Sequence, residues 1–462
     1  MNLHIWSDNE TDEDLLGFQV HADLIRTCVT DQRILPLVLG VFGDWGGGKS
    51  SIMQMLHRDL SGEKYPNTVA IFFNGWMFEG YEDAKTALLS SILLQLGEHK
   101  KFGVAVRDKV ISLLRRVKWM EVAKVGVRHV GVPLALAAFT GGAGAAASAI
   151  GSVAGGIAKA TVGSVGGKRG EGTDHTAPLP TWSELIESEP GKPDLLEVRK
   201  FRDEFASMLA DTSIESLVIM IDDLDRCLPE RIIETLEAIK LFVAVPKTAF
   251  LIGADPRIVR HAIATRYVNR EVDDKAIPPD ERYDLVKDYL EKLIQVPYHL
   301  PRLSPSEIET YLNLLACQSA LTPPEFSNVL EHWRTDRKEN LYAAYQQGAI
   351  SSALGGSGAM PQDLSARLAW SSAIADVVTD GLKGNPRQVK RMLNAMALRK
   401  QLADIAQIRI LDEVLAKLMV LEYSNLSLFQ QLNQWQSAAS GFPQQLKELE
   451  EAALDAGSRV PS

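Results

Sequence analysis

Four short apolar runs punctuate the first half of the chain, and two of them end in aspartates. They are residues 35–42 (LPLVLGVF), 68–73 (TVAIFF), 216–223 (SLVIMIDD) and 248–255 (TAFLIGAD). Continuous apolar runs of this length, rich in Val, Ile and Phe, are the mark of strands buried on both faces of a parallel sheet. Between them the apolar period lengthens to the helical one. Helices are predicted over 12–34, 51–60, 83–97, 195–210, 229–243 and 256–267. Strands alternating with helices predict an α/β fold, a parallel sheet with helices on both faces. From about residue 280 onward the pattern predicts no further strand. The remainder reads as helical, with a Gly/Ser break at 351–358 (SSALGGSG).

One stretch fits neither pattern. Residues 100–128 are strongly basic, 130–158 carry no charge and are dominated by Gly, Ala, Ser and Val, and 166–195 form a polar connector rich in Gly and Pro. Val106, Val110, Leu113, Leu114 and Val117 fall near helical spacing among the cations, which predicts a basic amphipathic helix. Such a face suits an anionic membrane surface or, more weakly, nucleic acid; a plain solvated helix face fits as well. For 130–158 three readings stand: a membrane hairpin, a shallow or re-entrant membrane contact through about residues 100–165, and a Gly/Ala helical hairpin packed on a partner protein. A single span is excluded. The strands on either side must join one sheet, so the chain has to return to the side it left, and two spans need about 40 apolar residues.

Composition narrows the class. The chain has 462 residues, 46% hydrophobic and 23% charged, enough for two or three domains with a buried core. A net charge of −10 argues against nucleic-acid binding over the whole surface. The three cysteines Cys28, Cys227 and Cys317 are widely spaced, which predicts neither a disulfide framework nor a zinc site and suits a reducing, cytoplasmic setting. The acidic first residues read as neither signal nor transit peptide.

The chemistry concentrates at the strand ends. Gly43-Asp44-Trp45-Gly46-Gly47-Gly48-Lys49-Ser50 fits G-x-x-x-x-G-K-[ST] between a predicted strand and a predicted helix. Glycines let backbone N–H groups curl around phosphates, and the following helix aims its positive dipole end at the same anion. Lys49 is expected to reach the β- and γ-phosphates and Ser50 to ligate Mg²⁺, with Ser51 completing the nucleotide-contacting set. Asp222 and Asp223 end the third strand, expected to neighbour the first. Asp222 is the candidate for holding Mg²⁺ through water and Asp223 for polarising the attacking water. Asp255 either senses the γ-phosphate or caps the helix at Pro256. Arg226, Arg257 and Arg260 follow strand ends closely, as charge stabilisers or as structural ion pairs. No N-K-x-D guanine-reading tetrapeptide occurs, which points to ATP over GTP.

These motifs, in this order, resemble the KAP family of P-loop NTPases, related to the STAND and AAA ATPases. Asp14-Leu-Leu-Gly-Phe18 looks like its opening and residues 40–50 (GVFGDWGGGKS), with the unusual Trp45, like its phosphate loop. Phe73-Asn-Gly-Trp76 resembles its segment after the second strand, and residues 222–227 (DDLDRC) its Walker B signature. Residues 289–297 (YLEKLIQVP) and 384–391 (GNPRQVKR) resemble its later motifs, the last one a helical lid. The resemblance implies Mg-dependent ATP hydrolysis coupled to conformational change, in a P-loop domain over 1–300 that carries the insertion 100–195, with a helical lid and interaction region over 301–462. It also implies self-association or operon-encoded protein partners, with Arg387 and Arg391 as candidate arginines for transition-state charge. Bacterial members of the family include anti-phage ATPases, so the resemblance implies a role in phage defence; a nucleotide-binding scaffold with negligible turnover and a membrane-tethered signalling ATPase unrelated to defence stay open beside it. Members often carry membrane segments in this insertion; here it is short and rich in Gly and Ala.

Overall fold

A computed structural model describes residues 5–76, 84–99, 106, 108–114, 195–267, 279–340, 342–356, 360–439 and 442–457. The chain falls into two compact units. One comprises Asp23–Phe42 and Leu56–His299; the other comprises Met1–Ala22, Gly43–Met55 and Leu300–Ser462. Most of the insertion expected at 100–195 lies outside the described residues, including the uncharged stretch 130–158. Among the described residues no helix is long and apolar enough to cross a membrane.

The first unit is built on a parallel five-stranded sheet. Its strands are β1 (Leu37–Phe42), β2 (Thr68–Asn74), β3 (Ser216–Asp222), β4 (Thr248–Ala254) and β5 (Val296–His299), in the order β2-β3-β4-β1-β5. Every residue of β1, β3 and β4 is buried, so both faces of the central strands are covered, as their continuous apolar runs require. Helices α1 (Gln19–Thr30), α2 (Lys49–Ser61), α3 (Ala84–Glu98), α4 (Leu195–Ala210), α5 (Pro229–Lys240), α6 (Pro256–Tyr267) and α7 (Pro279–Leu293) alternate with the strands. Phe242 packs edge to face against Phe201 and Phe205 and tilts against Phe250 of β4, and all four are buried in the core.

Three expectations are corrected. The helix read over 12–34 is confined to Gln19–Thr30, because the Asp14 carboxylate takes the backbone N–H groups of Leu16, Phe18 and Gln19 and shapes the entry as a capped turn. A strand does follow residue 280. β5 pairs with β1 at the sheet edge, and it escaped the pattern because it is short, contains Pro297 and is largely exposed. Gln295 holds its register: its backbone N–H donates to the Val38 carbonyl, and its side-chain carbonyl accepts the Val38 N–H at 2.7 Å. Finally, β3 does not neighbour β1, since β4 lies between them.

His57 on α2 packs edge-on against Phe72 of β2, and its burial depresses its pKa below the ordinary histidine value. An imidazole held neutral in the folded state takes up its proton more readily when unfolded, so the unfolded chain binds more protons as pH falls below about 6.5. The stability that His57 contributes is complete above that pH and declines below it. Thermal melting is expected to drop between pH 7.5 and pH 5.5, and His57→Gln to flatten that slope. An equal slope in the variant would remove His57 from the account.

The second unit is helical: α8 (Pro305–Ala320), α9 (Pro323–Glu339), α10 (Gln347–Ala353), α11 (Gln362–Leu382), α12 (Pro386–Ile405), α13 (Asp412–Ser424), α14 (Leu426–Ala439) and α15 (Gln444–Gly457). α8 starts with a full capping box of Ser304 with Glu307, and at α9 the Glu325 carboxylate accepts from the Thr322 N–H and hydroxyl; each cap is followed by proline at the first helical position. Tyr345 is fully buried beneath them and takes its backbone N–H to the Thr310 hydroxyl.

Candidate nucleotide site

β1 ends at Phe42 and the chain passes directly into the glycine loop, with α2 beginning at Lys49. Gly46 and Gly48 adopt positive φ, where a side chain would be strained. A Cβ on Gly48 would also lie 2.4 Å from the Phe18 ring, and one on Gly46 2.6 Å from Cβ of Arg387. The loop is thus shaped to bring main chain, not side chains, toward its concave side. Lys49 is only 7% exposed, and its ammonium donates to the carbonyl oxygens of Gly43 at 3.0 Å and Asp44 at 3.2 Å. It is therefore curled over its own loop. Ser50 occupies the second position of α2, half-buried, and the Ser51 hydroxyl accepts the Thr11 N–H. Asp44 is ion-paired with Arg302, while Trp45 stands 47% exposed.

The lid motif lies directly against this loop. Asn385 caps α12 with its side-chain oxygen on the Gln388 N–H, and its amide donates to the Trp45 carbonyl at 2.7 Å. The backbone N–H of Arg387 points to the Gly46 carbonyl, and its guanidinium lies 5.9 Å from the centre of the Trp45 ring. Arg387 is thus brought to the loop. Arg391, one turn further on, is held by Asp8 at 2.9 Å.

At the carboxyl edge of the sheet, the acids expected from sequence end their strands. Asp222 is the last residue of β3 and 3% exposed. Asp223 follows it in a left-handed conformation, φ 56°, an uncommon state for a non-glycine residue. Its carboxylate takes the Asn74 amide at 3.0 Å and the Arg226 guanidinium at 2.8 Å. Asp225 accepts the Asp255 N–H, tying the segment after β3 to the end of β4. Asp255 is buried; its carboxylate accepts the backbone N–H of Arg257 and both Nε and Nη2 of the same residue. The capping geometry at α6 is therefore present, and Arg226 and Arg257 both sit in ion pairs. Asn74, Asp225, Asn385 and Asp8 were not singled out from sequence. The first three lie inside the motifs that carried the family resemblance; Asp8 carries no local signal.

Among the described residues no cluster of three or more His, Cys, Asp or Glu side chains is placed to cage a metal. Mg²⁺ keeps waters and takes phosphate oxygens for most of its positions, so a hydroxyl such as that of Ser50 and, taken by itself, a buried carboxylate such as that of Asp222 are each donors of the kind it accepts.

A parallel sheet in this order, a glycine loop running from β1 into a helix N-terminus, and acids ending β3 together define a P-loop NTPase. The chain belongs to the KAP family: the model of the KAP family P-loop domain matches residues 20–403. It is also similar to the phage T7 exclusion protein of Escherichia coli (strain K12), with 24% identity over 296 residues, covering 63% of this chain and 34% of that protein. The chain thus spans about a third of the length of that relative.

Proposed function

We propose that this protein binds Mg-ATP at residues 43–51 and hydrolyses it, using the cycle to drive a conformational switch or assembly in bacterial defence against phage. The observation that carries the catalytic part is the loop itself: positive-φ glycines, a lysine curled over the loop carbonyls, and a helix N-terminus beginning at that lysine. In this reading the Lys49 ammonium exchanges its carbonyl partners for the β- and γ-phosphates. Ser50 and Asp222 are each the residue that would serve as a Mg²⁺ ligand, and the ion would supply charge neutralisation on the phosphates. Asp223 orients the attacking water, its carboxylate fixed by Asn74 and Arg226. Asp255 has one of two roles, sensing the γ-phosphate or only capping α6, and its bonds to Arg257 favour the cap. Arg387 and Arg391 supply charge to the transition state, an effect of about 10³–10⁵ in rate where such an arginine operates. The defence role rests on family membership and on the name of the similar protein. Partners are further copies of the chain or neighbouring gene products, with membrane contact through 100–165 as an additional proposal.

Phosphate release from ATP and from GTP, with and without chelator, tests the catalytic part. Mg-dependent turnover that favours ATP is expected, and its absence at every protein concentration would sink it. Plating efficiency of phage on cells carrying the gene tests the defence part. A second reading, a nucleotide-binding scaffold with negligible turnover, is favoured by one feature: the Asp223 carboxylate already holds two donors. Tight ATP binding without phosphate release is its signature.

A further inference from the structure

Three consecutive residues near the N-terminus engage one face of the lid helix. The backbone N–H of Trp6 donates to the Asn394 side-chain oxygen, and its carbonyl accepts the Asn394 amide, both at 2.9 Å. The Ser7 carbonyl accepts from the Lys390 ammonium at 3.2 Å. The Asp8 carbonyl accepts from Nη2 of Arg387 at 3.1 Å, and its carboxylate accepts from Nε of Arg391 at 2.9 Å. The same carboxylate oxygen lies 3.8 Å from Nε of Arg387. Positions 387, 390, 391 and 394 are neighbours on a single helical face, so the strap meets four polar side chains along it. The other carboxylate oxygen of Asp8 is shielded from water and accepts no hydrogen bond among the described residues. A buried acceptor left unused is costly, and a purely structural anchor would be expected to use it.

We infer that Asp8 is a positioning residue for the lid arginines: it holds the Arg387 and Arg391 guanidinium groups in one orientation while Asn385 and Arg387 dock the helix start on the phosphate loop. The inference rests on the reading of the loop as an ATPase site. The bond geometry gives it content. Arg387 is fixed through Nη2 and Arg391 through Nε, which leaves the remaining N–H groups of both forks for phosphate oxygens. Pre-organising a guanidinium in this way acts on the transition state, because the geometry is set before reaction.

The test uses the full chain carrying Asp8→Ala, Asp8→Asn, Asp8→Glu, Arg391→Ala, and the double variant Asp8→Ala/Arg391→Ala. Turnover, KM for ATP, ATP affinity and melting temperature are measured on each. Asp8→Ala is expected to lower kcat roughly ten- to hundredfold, the cost of a misplaced catalytic group, with ATP affinity unchanged. Asp8→Asn keeps the backbone contact to Arg387 and the side-chain shape, and is expected to fall in the same direction even if Asp8→Ala folds poorly. Asp8→Glu should recover part of the loss, and the double variant should fall by less than the product of the two single losses. Wild-type kcat in Asp8→Asn, a raised kcat, or losses that multiply in the double variant would overturn the inference while leaving the ATPase reading standing. A wild-type protein without turnover would remove both.

Discussion

The Lys49→Ala protein is expected to fold as the wild type does and to lose ATP turnover by about 10²-fold or more, the cost of deleting one charge-stabilising donor. The side chain is buried, yet it touches main-chain oxygens rather than the apolar core, so no cavity opens within the sheet. Two hydrogen bonds to the Gly43 and Asp44 carbonyls disappear, each contributing about 0.5–1.5 kcal/mol net, and part of that is recovered by relieving a desolvated ammonium. Against this small structural change stands the loss of the charge that would face the phosphates. Charge-assisted hydrogen bonds of that kind are worth about 1.5–3 kcal/mol each, so ATP affinity should weaken by at least tenfold. Circular dichroism with thermal melting establishes the fold, and calorimetric titration with ATP establishes the affinity. Undiminished turnover in a folded Lys49→Ala protein would sink the phosphate-loop reading.

The parts of this molecule written in local patterns were legible, and the parts set by long-range pairing were not. β1, β3 and β4 read directly as apolar runs because each is buried on both faces. The glycine loop read directly because the motif's second glycine, Gly48, meets a backbone demand, a positive φ. By contrast, β5 is an exposed edge strand whose register is fixed by Gln295 reaching Val38, a pairing of residues more than two hundred positions apart. The insertion of β4 between β1 and β3 is likewise invisible to any window of a few residues. The lid contacts belong to the same class. Asn385 announces itself as a helix cap before Pro386, but its second hydrogen bond, to Trp45, comes from tertiary structure alone. Asp8 sits in an acidic, outwardly featureless segment, and only its arginine partners give it meaning.

The two acids after β3 are expected to separate by phenotype. Asp223→Asn should bind ATP normally and lose about 10²–10⁴ in turnover, the range for removing a group that manages a proton in the transition state. The backbone should survive the change, since asparagine tolerates the left-handed conformation that residue 223 adopts. Its amide oxygen can still accept from Asn74 or Arg226, although the charge that pairs with Arg226 is gone. Asp222→Asn is also isosteric, but its effect should follow the metal. In that role the buried carboxylate would contribute a full negative charge toward Mg²⁺, and an amide would contribute only a dipole. Turnover should therefore fall at ordinary Mg²⁺ and recover as Mg²⁺ is raised, whereas no Mg²⁺ concentration should restore Asp223→Asn. Metal titrations of phosphate release on the two variants, side by side with ATP affinity, distinguish the roles. Full activity in both would reduce the pair to helix-capping residues, and identical Mg²⁺ dependence would mean that the division of labour between them is wrong.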